Sequence, residues 1–470
     1  MNTGPAAGPT GGSRREPVDC NFDVVVIGGG VVGCAVARLL SLHDLDVALI
    51  EAGADVGAGT SKANTAILHT GFDATPGSIE SRLVARGHAL LREYAPTVGV
   101  SIEATGALLV AWDDEQAARL PALAQKAAAN GYLRAQLIDT AEVYAREPHL
   151  GPGATAGMVV PDEHLIDPWS TPIAFALEAA ANGCQILLNQ RVTGCAVGSE
   201  ATELITTTPT GALHTVTSRF VVNAAGLHGD TVHRVFGFDG FTIQPRRGEL
   251  IVFDKLARPL LRGTVLPVPT AHTKGVLVAP TVFGNIMLGP TADDIDDRNA
   301  TGSTRTGIRT LLEKGRRIVP SLVDEEVTAV YAGLRAATEH SDYQLSTEAD
   351  AHYVGLGGIR STGLTASMAL AEEALSRLRS IGLDASERSG VAVRLTPLGE
   401  AGDRPYQHGG RIVCHCERVT ETEIVAACAG PLPATDVDGL RRRTRTLAGR
   451  CQGFYCFAEV ARLTGWDPAS

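Results

Sequence analysis

The sequence predicts an α/β chain with three parts. These are a Rossmann-like dinucleotide-binding domain, a second domain built on an antiparallel sheet, and a small helical, cysteine-rich module at the C-terminal end. Three observations predict this. Residues 22–53 read as strand, glycine turn, helix, strand and acid. Residues 243–290 break into short apolar runs separated by Pro/Gly turns, the mark of antiparallel strands. Five of the nine cysteines lie beyond residue 413. A chain of 470 residues exceeds what one core usually serves, so two or three domains are expected.

The first stretch carries the most chemistry. Val24–Ile27 is a short apolar run that meets Gly28, Gly29 and Gly30. Val32, Val36, Leu39 and Leu40 then recur at helical spacing, and Val47–Ile50 is a second strand ending at Glu51. Gly28, Gly30 and Gly33 form G-x-G-x-x-G in the context that gives this pattern meaning. Gly28 permits the sharp turn, Gly30 lets backbone N–H groups approach a pyrophosphate, and Gly33 lets helix and strand pack closely. The helix N-terminus faces the phosphates, and Glu51 is placed for a ribose hydroxyl.

Composition narrows the classes. The formal net charge of −11 argues against an electrostatic nucleic-acid binder. The apolar run closest to a membrane span, Val24–Leu40, carries Arg38 and four glycines. The first 20 residues are Gly/Pro-rich, lack an apolar signal core and are expected to be disordered. A cytoplasmic location is therefore expected, free or peripheral at the inner face of the membrane. Nine cysteines in such a chain point to thiols and metal, not a disulfide framework.

Further along, residues 52–78 form a long polar, Gly-rich connection, a kind of loop that is usually functional. Helices are expected over 79–95, 113–130, 140–147, 173–181, 306–318 and 366–379. Residues 185–222 alternate as antiparallel strands do, and lead into Ala224-Ala225-Gly226, where backbone is expected near a ligand. A strand over Tyr353–Leu356 feeds a second glycine turn, GGIRSTGLTAS. Residues 384–410 read as a linker. In the tail, Thr420-x-x-Glu423 is a capping box opening a helix over 421–429, and short helices are expected over 440–445 and 455–463. Asp293–Arg298 is acidic but lacks the glycine and terminal Glu of a calcium loop, so it reads as a solvated turn.

The tail holds Cys414-x-Cys416 and Cys451-x4-Cys456. Four thiols in two close pairs suit zinc or an iron–sulfur cluster. The spacing matches neither the C-x2-C zinc ribbon nor the plant-type ferredoxin, so spacing leaves both open. Cys428 falls on an apolar helix side, and Cys20, Cys34, Cys184 and Cys195 read as small buried residues.

SKANTAILHTGFD, LIDPW, VVNAAGLHGD, QPRRGEL, VAPTVFGNIMLGPT, AGLRAAT and GGIRSTGLTAS complete the pattern. With them, residues 21–385 resemble the FAD-dependent oxidoreductases of the D-amino-acid-oxidase superfamily. Within it they look like the branch of glycerol-3-phosphate and L-2-hydroxyglutarate dehydrogenases. The resemblance implies flavin contacts at Gly28, Gly30, Gly33, Glu51, Ser61, Asn64, Val192, Gly226, Gly358, Gly363, Leu364 and Thr365. It also implies an FAD part of about 21–95, 165–235 and 330–385, and a substrate part of about 96–164 and 236–329. Residues 386–409 are then the linker. IVCHCERVT and LRRRTRTLAGRCQGFYC make residues 410–470 resemble the [2Fe–2S] domain of bacterioferritin-associated ferredoxin. They also resemble the C-terminal domain of the anaerobic glycerol-3-phosphate dehydrogenase large subunit. That resemblance makes Cys414, Cys416, Cys451 and Cys456 the ligands. Arg441, Arg442, Arg443 and Arg445 suit a cluster of charge about −2 to −3. Their competing reading is a solvated or partner-docking face.

A cluster moves single electrons, nicotinamide moves a hydride, and a flavin converts one into the other. One dinucleotide fold plus an iron–sulfur module therefore favours FAD and a dehydrogenase over an oxidase. The expected substrate is a small anionic 2-hydroxy compound. Glycerol-3-phosphate comes first, L-2-hydroxyglutarate or another 2-hydroxy acid second, an amine third. The expected acceptor is a second flavoprotein or an iron–sulfur subunit leading to quinone. A chain that only transfers electrons for a partner enzyme is the different-class alternative. Such oxidation needs a base for the hydroxyl proton and a cation for the anionic end. His69 is the expected base, against a structural histidine. Arg335 is the expected anchor, against an ion pair with Asp342 or another acid. Arg247 and Lys274 are second-tier anchors, and His164 and His228 are weaker bases.

Overall fold

In the computed structural model, residues 21–269, 275–389 and 410–466 are described. Lys274, Cys20, the 1–20 tail and most of the 386–409 linker lie outside the described residues.

The predicted start of the chain forms as read. Strand β1 (Asn21–Ile27) leads through the glycine turn into helix α1 (Val31–Ser41), and strand β2 (Val47–Ile50) returns parallel to β1. β1 also pairs in parallel with Leu213–Asn223, with Ile27 opposite Asn223. It is thus central, and its side chains are buried on both faces. Val24 and Val26 enter the core under α1, while Val25 and Ile27 enter the core on the other side. Arg38, the charge inside this apolar stretch, is buried and bonded to Glu178 at 2.8 Å, and lies over the Tyr94 ring. The pair ties α1 to the helix Ser170–Ala181. The sheet has eight strands. Its Gln185–Leu187 strand runs parallel to β2, not antiparallel as the alternation predicts, because the helix Ser170–Ala181 carries the chain back across the sheet first.

The second sheet has nine strands, antiparallel except where Thr264–Pro267 meets Ala107–Ala111. Its spine is the long pair Ile243–Phe253 with Val327–Thr338. Residues 330–338, expected with the FAD part, pair with this sheet. The helix Arg305–Ile318 packs on one of its faces, with Leu311 and Ile318 in the shared core. A three-stranded sheet, Ile67–Leu68, His164–Ile166 and Ile102–Glu103, bridges the two layers. Its register sets Ile67 opposite Leu165 and Leu68 opposite His164, which brings His69 to Glu163.

The C-terminal module folds around its own core of Val413, Val419, Ile424, Leu440, Leu447 and Val460. A hairpin, Ile412–Cys414 with Val419–Thr420, precedes helices Glu421–Ala427, Val437–Thr444 and Phe457–Thr464. The capping box at Thr420 and Glu423 forms on both sides. Cys428 lies against this core, and Cys34 and Cys184 are buried in the first domain. Among the described residues no helix is long and apolar enough to cross a membrane.

Candidate active site and cluster module

The glycine turn has the geometry of a phosphate cradle. Gly28 has φ of 106°, and a Cβ there would lie 2.5 Å from the Ala224 carbonyl oxygen. At Gly33 a Cβ would sit 1.8 Å from the Gly28 carbonyl oxygen, so the helix closes on the turn only without a side chain. Gly33→Ala is expected to cost at least about 1–3 kcal/mol and to lower FAD retention. The melting temperature and the flavin-to-protein absorbance ratio check this. By contrast, a Cβ at Gly30 meets nothing nearer than the Ser61 hydroxyl at 3.4 Å. Open space thus lies in front of the α1 N-terminus. Ser61 Oγ accepts from the Val31 amide at 2.9 Å, marking that N-terminus as an acceptor-binding end.

Glu51 accepts from the amides of Gly29 and Gly53, each at 2.6 Å. A carboxylate has about four lone-pair sites, so capacity remains for a ribose diol. The Gln190 amide donates to the Glu51 carbonyl, which brings half-buried Val192 beside this end of β2. Gly226 has φ of 54° and no atom near its Cβ direction, so the backbone there is open to an approaching ligand. Gly358, with φ of 64°, starts the turn into the helix Gly363–Ser380, whose first turn holds Gly363, Leu364 and Thr365. Thr365 Oγ accepts from the His69 amide at 3.0 Å and donates to the Ile67 carbonyl at 3.2 Å. Asn64 holds its own loop through Ser61 and Ala66. The glycine turn, the open space before the α1 N-terminus and the spare acceptor capacity of Glu51 fit a dinucleotide such as FAD.

At the far end stand His69 and Glu163. Glu163, with 1% side-chain exposure, accepts from His69 Nδ1 at 2.7 Å and from the Thr70 amide at 2.6 Å. A carboxylate only accepts, so Nδ1 carries the proton and Nε2 is left as an acceptor. Nothing in the PDEHLIDPW stretch distinguishes Glu163 from its acidic neighbours. Only the strand register, 94 residues from His69, identifies it.

The spine of the second sheet faces this loop. Tyr331 donates to the Asn64 carbonyl at 3.0 Å, Thr60 donates to the Leu334 carbonyl, and a Cβ at Gly333 would strike the Ala63 carbonyl. Arg335 alternates onto the same face as Tyr331 and Gly333. Its only hydrogen bond among the described residues is a long one to the Thr291 carbonyl, at 3.5 Å. No carboxylate pairs with it there. Asp342, the expected rival partner, instead caps a helix by accepting from the Ile79 and Glu80 amides. Burial, with Arg246 nearby, pushes the Arg335 guanidinium down to about 10. Arg246 itself is neutralised bidentately by Asp294. Arg247 alternates to the opposite face, where its Nε is buried without a partner, so it does not join Arg335. Burial holds both His164 and His228 below the usual histidine range.

In the C-terminal module the thiols group two and two. The sulfurs of Cys414 and Cys456 interact, as do those of Cys416 and Cys451. Amides of Leu447, Cys451, Gly453 and Tyr455 point at these sulfurs. Within each pair one thiol, Cys414 or Cys451, is held low and its neighbour, Cys456 or Cys416, is pushed up. A Cβ at Gly449 would lie 2.2 Å from that of Cys416, so this turn also excludes a side chain. Among the described residues no group of three or more His, Cys, Asp or Glu converges on a single-ion position. Two pairs of thiols fit a two-iron cluster in which each iron takes two thiolates.

Arg442, Arg443 and Arg445 dock the module and are buried, whereas Arg441 stays half-exposed on Asp438 within the module. Arg443 binds Asp55 bidentately at 2.6 and 2.8 Å, Arg442 adds a contact at 2.5 Å, and all three are buried. Arg445 pairs with Glu417, which also binds Lys255, and stacks 4.2 Å over Phe283. Phe283 packs on Trp169, whose indole donates to the Lys62 carbonyl in the cradle loop. Burial alone would raise the Asp55 carboxyl, but Arg443 and Arg442 outweigh it and hold it below its ordinary value. Docking is therefore strongest above the usual carboxylate range and is lost as pH falls through the depressed value. Asp55→Ala leaves two buried guanidiniums uncompensated. It is expected to cost about 3–5 kcal/mol, seen by calorimetry as earlier melting of the module.

The comparisons agree with this geometry. The DAO family, described as FAD dependent oxidoreductase, matches residues 23–377, and the BFD-like [2Fe-2S] binding domain matches residues 412–464. The glycerol 3-phosphate dehydrogenase of Caloramator mitchellensis is 33% identical over 453 residues, covering 94% of this chain and 93% of that protein. Human mitochondrial L-2-hydroxyglutarate dehydrogenase is 29% identical over 301 residues, covering 60% of this chain and 64% of that protein. Among solved structures, the dithionite-reduced, FAD-bound L-α-glycerophosphate oxidase of Mycoplasma pneumoniae superposes with a TM-score of 0.74 at 30% identity. It covers 79% of this chain and 97% of that one. The chain thus belongs to the DAO family of FAD-dependent oxidoreductases and carries a BFD-like [2Fe–2S] domain at its C-terminal end.

Proposed function

We propose that this chain is a dehydrogenase of glycerol-3-phosphate that passes its electrons through the [2Fe–2S] cluster to a protein acceptor and on to quinone. Residues 21–385 are the flavin and substrate part, 386–409 the linker and 410–470 the relay. The observation that carries the substrate class is Arg335, a half-buried cation with no carboxylate partner among the described residues. Keeping such a charge is costly unless an anion arrives. A phosphate or carboxylate matches its planar fork. Phosphate is preferred because the relative spanning both domains is a glycerol 3-phosphate dehydrogenase.

When bound, FAD accepts a hydride and returns electrons singly. The protein residues do the rest. His69 Nε2 takes the substrate hydroxyl proton while Glu163 holds Nδ1–H and stabilises the cation that forms. Arg335 fixes the anionic end. Thr365 holds the His69 backbone against the first turn of its helix.

Anaerobic mixing tests the reading. sn-Glycerol-3-phosphate is expected to bleach the flavin and then raise the EPR signal of a reduced cluster, in protein holding about one FAD and about two irons. Bleaching by L-2-hydroxyglutarate instead would reassign the substrate. No bleaching by any 2-hydroxy compound would leave the chain as an electron-transfer subunit.

A further inference from the structure

Two of the most exposed large apolar side chains are adjacent and lie within the cluster-binding loop. Phe454 is 84% and Tyr455 77% exposed, and their rings meet edge to face with centroids 5.1 Å apart. They fall between Cys451 and Cys456. Gln452 and Gly453 both take positive φ, of 48° and 86°, and the Gly453 and Tyr455 amides turn in toward the Cys451 sulfur. The loop is wound on that sulfur, so its two aromatic side chains project outward.

The four thiols are not equally covered. Cys414 and Cys456 are buried, whereas Cys416 and Cys451 are partly exposed. The cluster's accessible edge is therefore the Cys416–Cys451 side, from which the aromatic pair projects. Covering an aromatic side chain removes about 150–250 Å², so this pair offers about 300–500 Å². A stable dimer buries about 800 Å² per partner, whereas weak electron-transfer encounters fall below that. The patch is too small for a permanent second copy and suits a transient partner. The module, residues 410–470, carries eight arginines against seven carboxylates, although the whole chain has a formal net charge of −11, and Arg450 next to Cys451 is exposed. His415 and Arg418, beside the ligands, are exposed.

We propose that Phe454 and Tyr455 form the docking point for an acidic one-electron carrier protein, which takes the electron from the Cys416–Cys451 edge. The proposal rests on the reading that electrons leave through the cluster. Each docking oxidises the cluster by one electron and reduces the carrier by one, so two dockings follow each substrate oxidised, and no proton moves in this step.

Cytochrome b5, an acidic one-electron protein, serves as the probe with the full holoprotein and its Phe454→Ser variant. Iron content, flavin bleaching and reoxidation by ferricyanide are expected to be unchanged. Binding of cytochrome b5, measured directly by sedimentation, should weaken about tenfold or more, with a matching rise in KM for its reduction. Equal binding by both proteins, or none by the wild type, overturns the proposal. So does a wild-type dimer that the variant abolishes, or wild-type sedimentation with phosphatidylglycerol-containing vesicles that the variant loses. If the wild-type cluster stays EPR-silent after flavin bleaching, the relay reading itself fails, and the docking proposal with it.

Discussion

His69→Ala is expected to slow flavin reduction by substrate about 10²- to 10⁴-fold while FAD remains bound. The tie between this position and Thr365 runs through the backbone amide, which alanine keeps. The lost function is therefore the Nε2 acceptor and not the loop. Glu163→Gln is the sharper test. Its amide no longer demands a proton on Nδ1, so the ring loses its fixed tautomer and the stabilisation of its cation. A loss of about 10- to 100-fold in the same half-reaction is expected. Stopped-flow bleaching measures both variants, and added imidazole should partly restore His69→Ala. A histidine with a purely structural role would give no such rescue. Full activity in both variants would retire the base assignment.

Arg335→Met should lower kcat/KM for the anionic substrate about 10²- to 10³-fold, as expected for losing a charge-assisted anchor. The same change should raise the melting temperature. The folded chain holds the guanidinium proton less tightly than the unfolded chain, since burial lowers it to about 10. Below that pH both states are protonated, and the folded state carries the whole cost of the shift, on the order of 3 kcal/mol. Removing the charge relieves that cost. Substrate or phosphate should offset it in the wild type, so ligand-dependent stabilisation should be seen in wild type and not in Arg335→Met. Were Arg335 part of a structural ion pair, methionine would destabilise and ligand would make no difference.

The reading of Arg247 as a substrate anchor is changed by strand register. Arg246 and Arg247 are neighbours in QPRRGEL, and the sequence gives no way to rank them. Pairing along Val327–Thr338 puts Arg246 on the Arg335 face and Arg247 on the opposite one. Glu163 and Asp55 were not anticipated either. Each is one acid among several, and each acquires its role from a partner far away in sequence, His69 in one case and Arg442 with Arg443 in the other. The arginines were legible as relevant to the cluster module. That they are used for docking became visible only with their buried partner.

What the sequence by itself determined is what short-range rules control. The glycine turn, the helix caps, the apolar period of strands and helices and the two cysteine pairs all act over a few residues. They were enough to predict the dinucleotide fold, the second sheet and the thiol-bearing module. Only the tertiary structure decided which distant side chains share a face: the His69–Glu163 pair, the guanidinium of Arg335 with no carboxylate beside it among the described residues, and the seat of the module on Asp55. The physical reason is that burial and strand register are collective. A side chain's charge state and reach depend on what packs around it, and those neighbours lie as many as 388 residues away.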